Sequence, residues 1–218
     1  MAELISYIFF IGQGAILTFK LLVGGLILGI IFGLILTMLR YNYIATFIIN
    51  RLISILRGTP LILQLSFVYF TAPAIIGIKL TILVAGILTF GLNSSAYIAE
   101  ILRAGIENLP KGQFEAAKTL EIPNFYMWKD IILPQVARNI LPAFINEIIS
   151  LLKETALIGT ISGMDIMRMA QILGAEQFTY FMPLCIAGGY YYSLVLLIEY
   201  IGKKFDKRDF YAKNQKSI

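Results

Sequence analysis

Five runs of apolar residues, each long enough to cross a hydrocarbon layer, constrain this chain more than any other feature. They lie at 16–39, 44–72, 80–102, 140–161 and 181–201, and about 20 apolar residues suffice to span roughly 30 Å of lipid as a helix. A single water-soluble core has no use for several such runs. The 218 residues are 58% hydrophobic and 14% charged, against about 45–50% and about 25% in ordinary soluble domains. Bilayer is therefore the solvent for most of the chain, and the expected fold class is an all-α membrane protein of five transmembrane helices.

An odd number of crossings puts the termini on opposite faces, and short cytoplasmic loops collect Lys and Arg. With the N-terminus outside, the outer segments hold only Lys20, Lys79 and Arg168, while Arg57 and Lys153 fall within the membrane. The other thirteen of the 18 basic residues then lie inside, in the loops from Arg40 to Arg138 and in the tail with Lys203, Lys204, Lys207, Arg208, Lys213 and Lys216. The expected localisation is the cell inner membrane, with an external N-terminus and a cytoplasmic C-terminus. The net charge of +5 reflects that topology and the anionic inner leaflet, and implies no nucleic acid.

Composition removes other classes. There is no His and a single Cys, Cys185, so neither an internal disulfide nor a histidine metal, haem or general-base site is expected. No Gly-x4-Gly-Lys-Ser/Thr loop is present, so the chain is no ATPase by that route and no cofactor is expected in it. The first apolar run has neither a basic start nor a small-residue cleavage site and is expected to stay in the mature protein. Repeats and low-complexity tracts are absent. Within the first run Gly25, Gly29 and Gly33 recur every four residues, which bares one helix face for close approach of a neighbour.

The segment 103–138 does not belong in lipid. It is rich in charge yet carries Phe114, Leu120, Phe125, Tyr126, Met127 and Trp128. A short helix is expected over 114–120, broken by Pro123 and Asn124; Asn124 then caps a second piece that ends before Pro134. On that piece Phe125, Trp128 and Ile132 share a face and form a small apolar ridge. A partner groove could take it, or the helix could lie flat among lipid headgroups; the periodicity allows both.

The run Glu115-Ala116-Ala117, followed by Ile131, Leu133 and Pro134, resembles the EAA loop of type-1 permeases of ATP-binding-cassette (ABC) importers. Arg57-Gly58-Thr59-Pro60-Leu61, Tyr97-Ile98-Ala99-Glu100, Lys111-Gly112-Gln113, Leu133-Pro134-Gln135 and Leu151-Leu152-Lys153-Glu154-Thr155 are similar to the histidine, glutamine, glutamate and arginine branch of that family, most of all to its glutamine-type members. The resemblance implies a permease domain over 14–204 with a basic tail over 205–218. It also implies two permease copies, as a homodimer, an ATPase subunit that binds the ATP, an external amino-acid-binding protein, and a coupling role for Gly112, Phe114, Glu115, Ala116, Ala117, Leu120, Phe125 and Trp128. One position departs: Glu121 stands where the family pattern has glycine, which suits a left-handed residue ending the first helix.

Ionisable and amide side chains at membrane depth are costly unless paired or facing water. Arg57, Thr59 and Gln64 flank Pro60; Asn93, Ser94, Ser95 and Tyr97 lie in the third run, with Glu100 nearer the inner surface. In the fourth run Asn146, Ser150 and Lys153 form one stripe, and Glu147 and Glu154 an adjacent one. A zwitterionic amino acid needs an anion for its ammonium and a cation for its carboxylate. The path is accordingly expected to run along Asn146, Glu147, Ser150, Lys153 and Glu154, with Arg57, Gln64 and Asn93 opposite. Pairing of Arg57 and Lys153 with the two glutamates, merely holding the bundle together, is the other reading. An ion-coupled carrier lacks support because no repeat is visible, a membrane anchor subunit leaves the EAA resemblance unexplained, and an enzyme has no nucleophile beside a base.

Overall fold

The computed structural model describes residues 2–40 and 46–205. The start of the second apolar run at Ile44 and nearly all of the basic tail, including Lys207, Arg208, Lys213 and Lys216, lie outside the described residues. Those described are helical throughout, with short connections and no strand. Helix α1 (Ala2–Gly12) leads across Gln13 and Gly14 into α2 (Ala15–Arg40), giving an apolar stretch Glu3–Arg40 of 38 residues. The sequence reading starts the first run at Ile16 and so omits α1.

The second run is not one straight helix. α3 (Thr46–Gly58) ends, α4 (Leu61–Ser66) begins, and the two parts meet at 102°. Pro60 causes the break. It has no N–H to give the Leu56 carbonyl and pushes Thr59 away from helical geometry. Gln64 repairs the loss: its Nε2 donates to the Leu56 carbonyl and to Thr59 Oγ1, both at 2.8 Å. The chain continues through a π-helical turn, Phe67–Thr71, into α5 (Ala72–Ile76).

Helix α6 (Ile82–Glu107), N-capped by Thr81, is the axis of the molecule. α2 lies along it, with Gly25, Gly29 and Gly33 facing Phe90, Ser94 and Ile98. α7 (Lys111–Thr119) and α8 (Asn124–Tyr126) form the polar loop. A second π-helical segment, Met127–Ile132, then runs unbroken into α9 (Leu133–Glu154), so the second loop piece does not end before Pro134. Both π segments stand just ahead of a proline, Pro73 and Pro134, and the widened turn accommodates a ring that would clash with the carbonyl four residues back. A 3-10 segment, Thr155–Ile161, α10 (Ile166–Glu176) and α11 (Phe181–Phe205) complete the chain.

Glu3–Arg40, Ile82–Glu107 and Phe181–Phe205 are the described helices long and apolar enough to cross a membrane on their own, and the bent pair Thr46–Gly58 with Leu61–Ile75 adds a broken one. α9 is more polar. One core cluster joins Leu21, Leu65, Phe90, Leu151, Leu152 and Ile158; a second joins Ile11, Ile166, Ala170, Leu173 and Ala187.

Candidate functional site

The polar loop folds into a small hook with its own core. Leu109, Ala117, Met127, Ile132 and Val136 are buried together, with Ile106, Phe114 and Trp128 packed around them. The Phe114 and Trp128 rings meet edge to face at 6.2 Å. Gln135 Nε2 donates to the Ile131 carbonyl at 2.8 Å and reaches Gln113 Oε1 at 3.4 Å, tying α9 back to α7. Of the residues singled out for coupling, Phe114, Ala117 and Trp128 hold the hook to the body. Gly112, Glu115, Ala116, Leu120 and Phe125 are exposed.

The expected ridge of Phe125, Trp128 and Ile132 does not form. Phe125 is 68% exposed whereas Ile132 is fully buried, because the π segment from Met127 to Ile132 advances five residues per hydrogen-bonded turn and rotates the two off a common face. Asn124 is itself the first helical residue, and no side-chain bond caps α8.

Beside the hook, the end of α6 carries an ion cluster. Glu100 accepts from Arg103 at 2.8 Å and from Arg40 at the end of α2, and it pairs with Arg57 of α3 at 3.6 Å. Arg57 also lies over the Tyr97 ring, 5.1 Å from its centroid. One carboxylate thus joins three helices, and it borders an open cleft of about 560 Å³ lined by Arg57, Tyr97, Glu100, Arg103, Asn108 and Asn139. Sequence reasoning left Glu100 and Arg40 out of the site. Glu100 and Arg57 both stand in family words, and that was the available signal; which cations meet which carboxylate is a tertiary fact.

The membrane polar residues separate into two layers. Glu147 is buried and accepts a 2.6 Å hydrogen bond from Ser94 Oγ of α6. Asn93 is buried on the same stretch of α6. Asn146 and Lys153 are exposed, Ser150 and Glu154 half-buried, so with the exposed Asn139 they mark a polar stripe along the outward side of α9. Among the described residues no ion pair joins Arg57 or Lys153 to Glu147 or Glu154; Arg57 is engaged by Glu100. Gln64 is occupied by the helix break.

Comparison with known proteins gives a consistent result. A family model described as "Binding-protein-dependent transport system inner membrane component" matches residues 25–208. A protein of Rickettsia typhi named as a glutamine transport system permease, GlnP, is 47% identical over 203 residues, covering 92% of this chain and 93% of that protein. The arginine transport system permease protein ArtQ of Bacillus subtilis is 42% identical over 201 residues, covering 91% and 92%. The crystal structure of an amino acid ABC transporter with histidines superposes with a TM-score of 0.87 at 32% identity, covering 95% of this chain and 97% of that one. An inward-facing MetNI methionine ABC transporter, at a TM-score of 0.69 and 18% identity over 90% and 93% of the two chains, shares the fold alone.

Proposed function

This chain belongs to the family of binding-protein-dependent transport system inner membrane components, and from that membership we infer a membrane subunit that carries glutamine through an ABC importer. It is a transport permease and not an enzyme. Its relatives at 47% and 42% identity are named for glutamine and arginine, which supports a polar amino acid as the cargo. The family implies an ATPase subunit and a substrate-binding protein as partners. ATP is bound by the ATPase, and the chain itself needs no cofactor.

In this reading α2, the bent pair of α3 with α4 and the segment after it, α6, α9 and α11 are the five crossings of a type-1 permease domain over 14–204. The N-terminus is outside, and the hook and basic tail are in the cytoplasm of a cell with an inner membrane. Two copies form a homodimer whose shared seam is the polar stripe of α9. Lys153 and Asn146 face that seam. The carboxylate of an amino acid meets Lys153, its ammonium meets Glu147 and Glu154, and Asn93, Ser150, Gln64 and Arg57 complete the walls.

The observation that carries the inference is the hook: an exposed set, Gly112, Glu115, Ala116, Leu120 and Phe125, held on a packed base of Ala117, Met127 and Ile132 that continues into α6 and α9. A surface so mounted transmits a push from a docked neighbour to the helices that line the path. The test is uptake of labelled glutamine into vesicles holding permease, ATPase and binding protein. ATP-dependent glutamine uptake, with arginine and histidine competing less well, is the expected result. Uptake of arginine alone would move the substrate, and ATP-independent uptake would overturn the mechanism.

A further inference from the structure

Where the hook joins the membrane helices, an apolar groove of about 410 Å³ opens between α2, α6 and the start of α9. Thr37 and Met38 line it from α2, Leu102 and Ile106 from α6, and Trp128 and Leu133 from the root of the hook. The hydroxyl of Thr37 already donates to the Gly33 carbonyl at 2.7 Å, so it offers no donor to an occupant. Apart from the Trp128 indole N–H the lining side chains then offer no donor, so a peptide or polar solute here would bury most of its polar groups without partners. An alkyl chain has none to bury. The groove also opens onto the outward stripe of α2, where Ile27, Ile31, Leu34 and Met38 stand exposed at helical spacing. In a membrane helix such a stripe faces hydrocarbon, so the groove is continuous with lipid.

We propose that one acyl chain of a surrounding phospholipid occupies this groove and forms a fixed part of the joint between the hook and helices α2 and α6. The groove touches both ends of that joint, so displacement of Trp128 and Leu133 reaches Leu102 and Met38 partly through whatever fills the space. Close packing is what transmits strain, and an empty groove would absorb it. This proposal rests on the membrane embedding of the chain and not on the substrate path.

Trp128 is the sole tryptophan, which makes the groove directly readable. The full-length permease is reconstituted in vesicles of phosphatidylethanolamine and phosphatidylglycerol in which a graded fraction of the phosphatidylglycerol carries bromine on its acyl chains. Trp128 emission is expected to fall by about half at saturation, since the bromines lie at hydrocarbon depth. Saturation should come at a lower brominated fraction than for tryptophan octyl ester in the same vesicles, which reports bulk lipid. Leu102→Phe, which narrows the groove, should shift saturation to a higher fraction. Mass spectrometry of the unaltered protein in detergent should find one retained phospholipid per chain. Absence of quenching, quenching that follows the octyl ester, or no retained phospholipid overturns the proposal. Protection of Trp128 on adding the ATPase subunit would show that protein fills the groove, and also overturns it. Uptake is not the readout, so any of these failures leaves the transport assignment standing.

Discussion

Glu121 closes the first helix of the hook in the left-handed region, with φ of 53°. Its N–H bonds the Lys118 carbonyl and the Ile122 N–H bonds the Ala117 carbonyl, both at 3.0 Å, which is the helix-ending motif that glycine usually serves. A glutamate is therefore strained into a left-handed turn that suits glycine. Ser162 and Phe178 end other helical segments in the same way. A non-glycine residue there costs on the order of 1–2 kcal/mol, so Glu121→Gly is expected to raise the apparent thermal midpoint in detergent by the equivalent of about 1 kcal/mol, after the entropic cost of glycine. Uptake should be unchanged; a clear loss would show that the carboxylate has a role of its own.

Asp165, fully buried between the 3-10 segment and α10, accepts from the Met167 and Arg168 N–H groups at 3.1 and 3.0 Å and from the Tyr191 hydroxyl at 3.0 Å. Burial pushes its carboxyl above the ordinary range, and those hydrogen bonds only partly offset it. A carboxyl raised on folding holds its proton to higher pH than in the unfolded chain. Its contribution is thus fully present in acid and declines as pH rises through the folded value. Asp165→Asn keeps the cap acceptor and removes the charge, so its stability should vary less between mild acid and neutral pH than that of the unaltered protein. Asp165→Ala loses the cap and should cost about 1–3 kcal/mol. Thermal scans across pH measure both. The sequence reading passed over Asp165 along with the helix it caps, and its bond to Tyr191, on a different helix, is a tertiary fact.

At the scale of elements, legibility followed regularity. α2, α6 and α11 were readable from apolar length, and the glycine stripe was readable from its spacing. At Gly33 a methyl group would fall 2.7 Å from Ile98 Cγ2. Gly33→Leu must separate α2 from α6 and is expected to destabilise by about 1–3 kcal/mol or more, read as loss of monodisperse protein on size-exclusion chromatography at a lower temperature. What escaped the sequence was departure from the 3.6-residue repeat. Pro60 was noted as a proline within one span, yet whether a proline kinks a helix or turns it through 102° depends on what then satisfies Leu56, and Gln64 does so from the next helix. The π segment ahead of Pro134 likewise undid the ridge of Phe125, Trp128 and Ile132. Helices α1 and α10 were missed because each has 11 residues, well short of a membrane span. Of the candidate path, residue types were legible and contacts were not: Ser94 meets Glu147, and Glu100 takes Arg57.

For the whole molecule, the question is whether the hook carries force, and Glu115 isolates it. Glu115 is exposed and forms no ion pair among the described residues, while the hook's cohesion comes from Ala117, Met127 and Ile132. Surface substitutions away from such packing usually change stability by about 0.5 kcal/mol or less, so Glu115→Lys should leave the fold, the thermal midpoint and Trp128 emission as they are. At a docked interface the same reversal places like charge where unlike was matched, which costs several kcal/mol. The expected outcome is a permease that inserts normally, no longer copurifies with its ATPase, and loses ATP-driven uptake. Trp128→Ala, by contrast, removes the packing beneath the hook and should lower stability and uptake together. If Glu115→Lys retained both the ATPase and uptake, force would have to enter the helices by some other surface, and the exposed face of the hook would be only a loop between two spans.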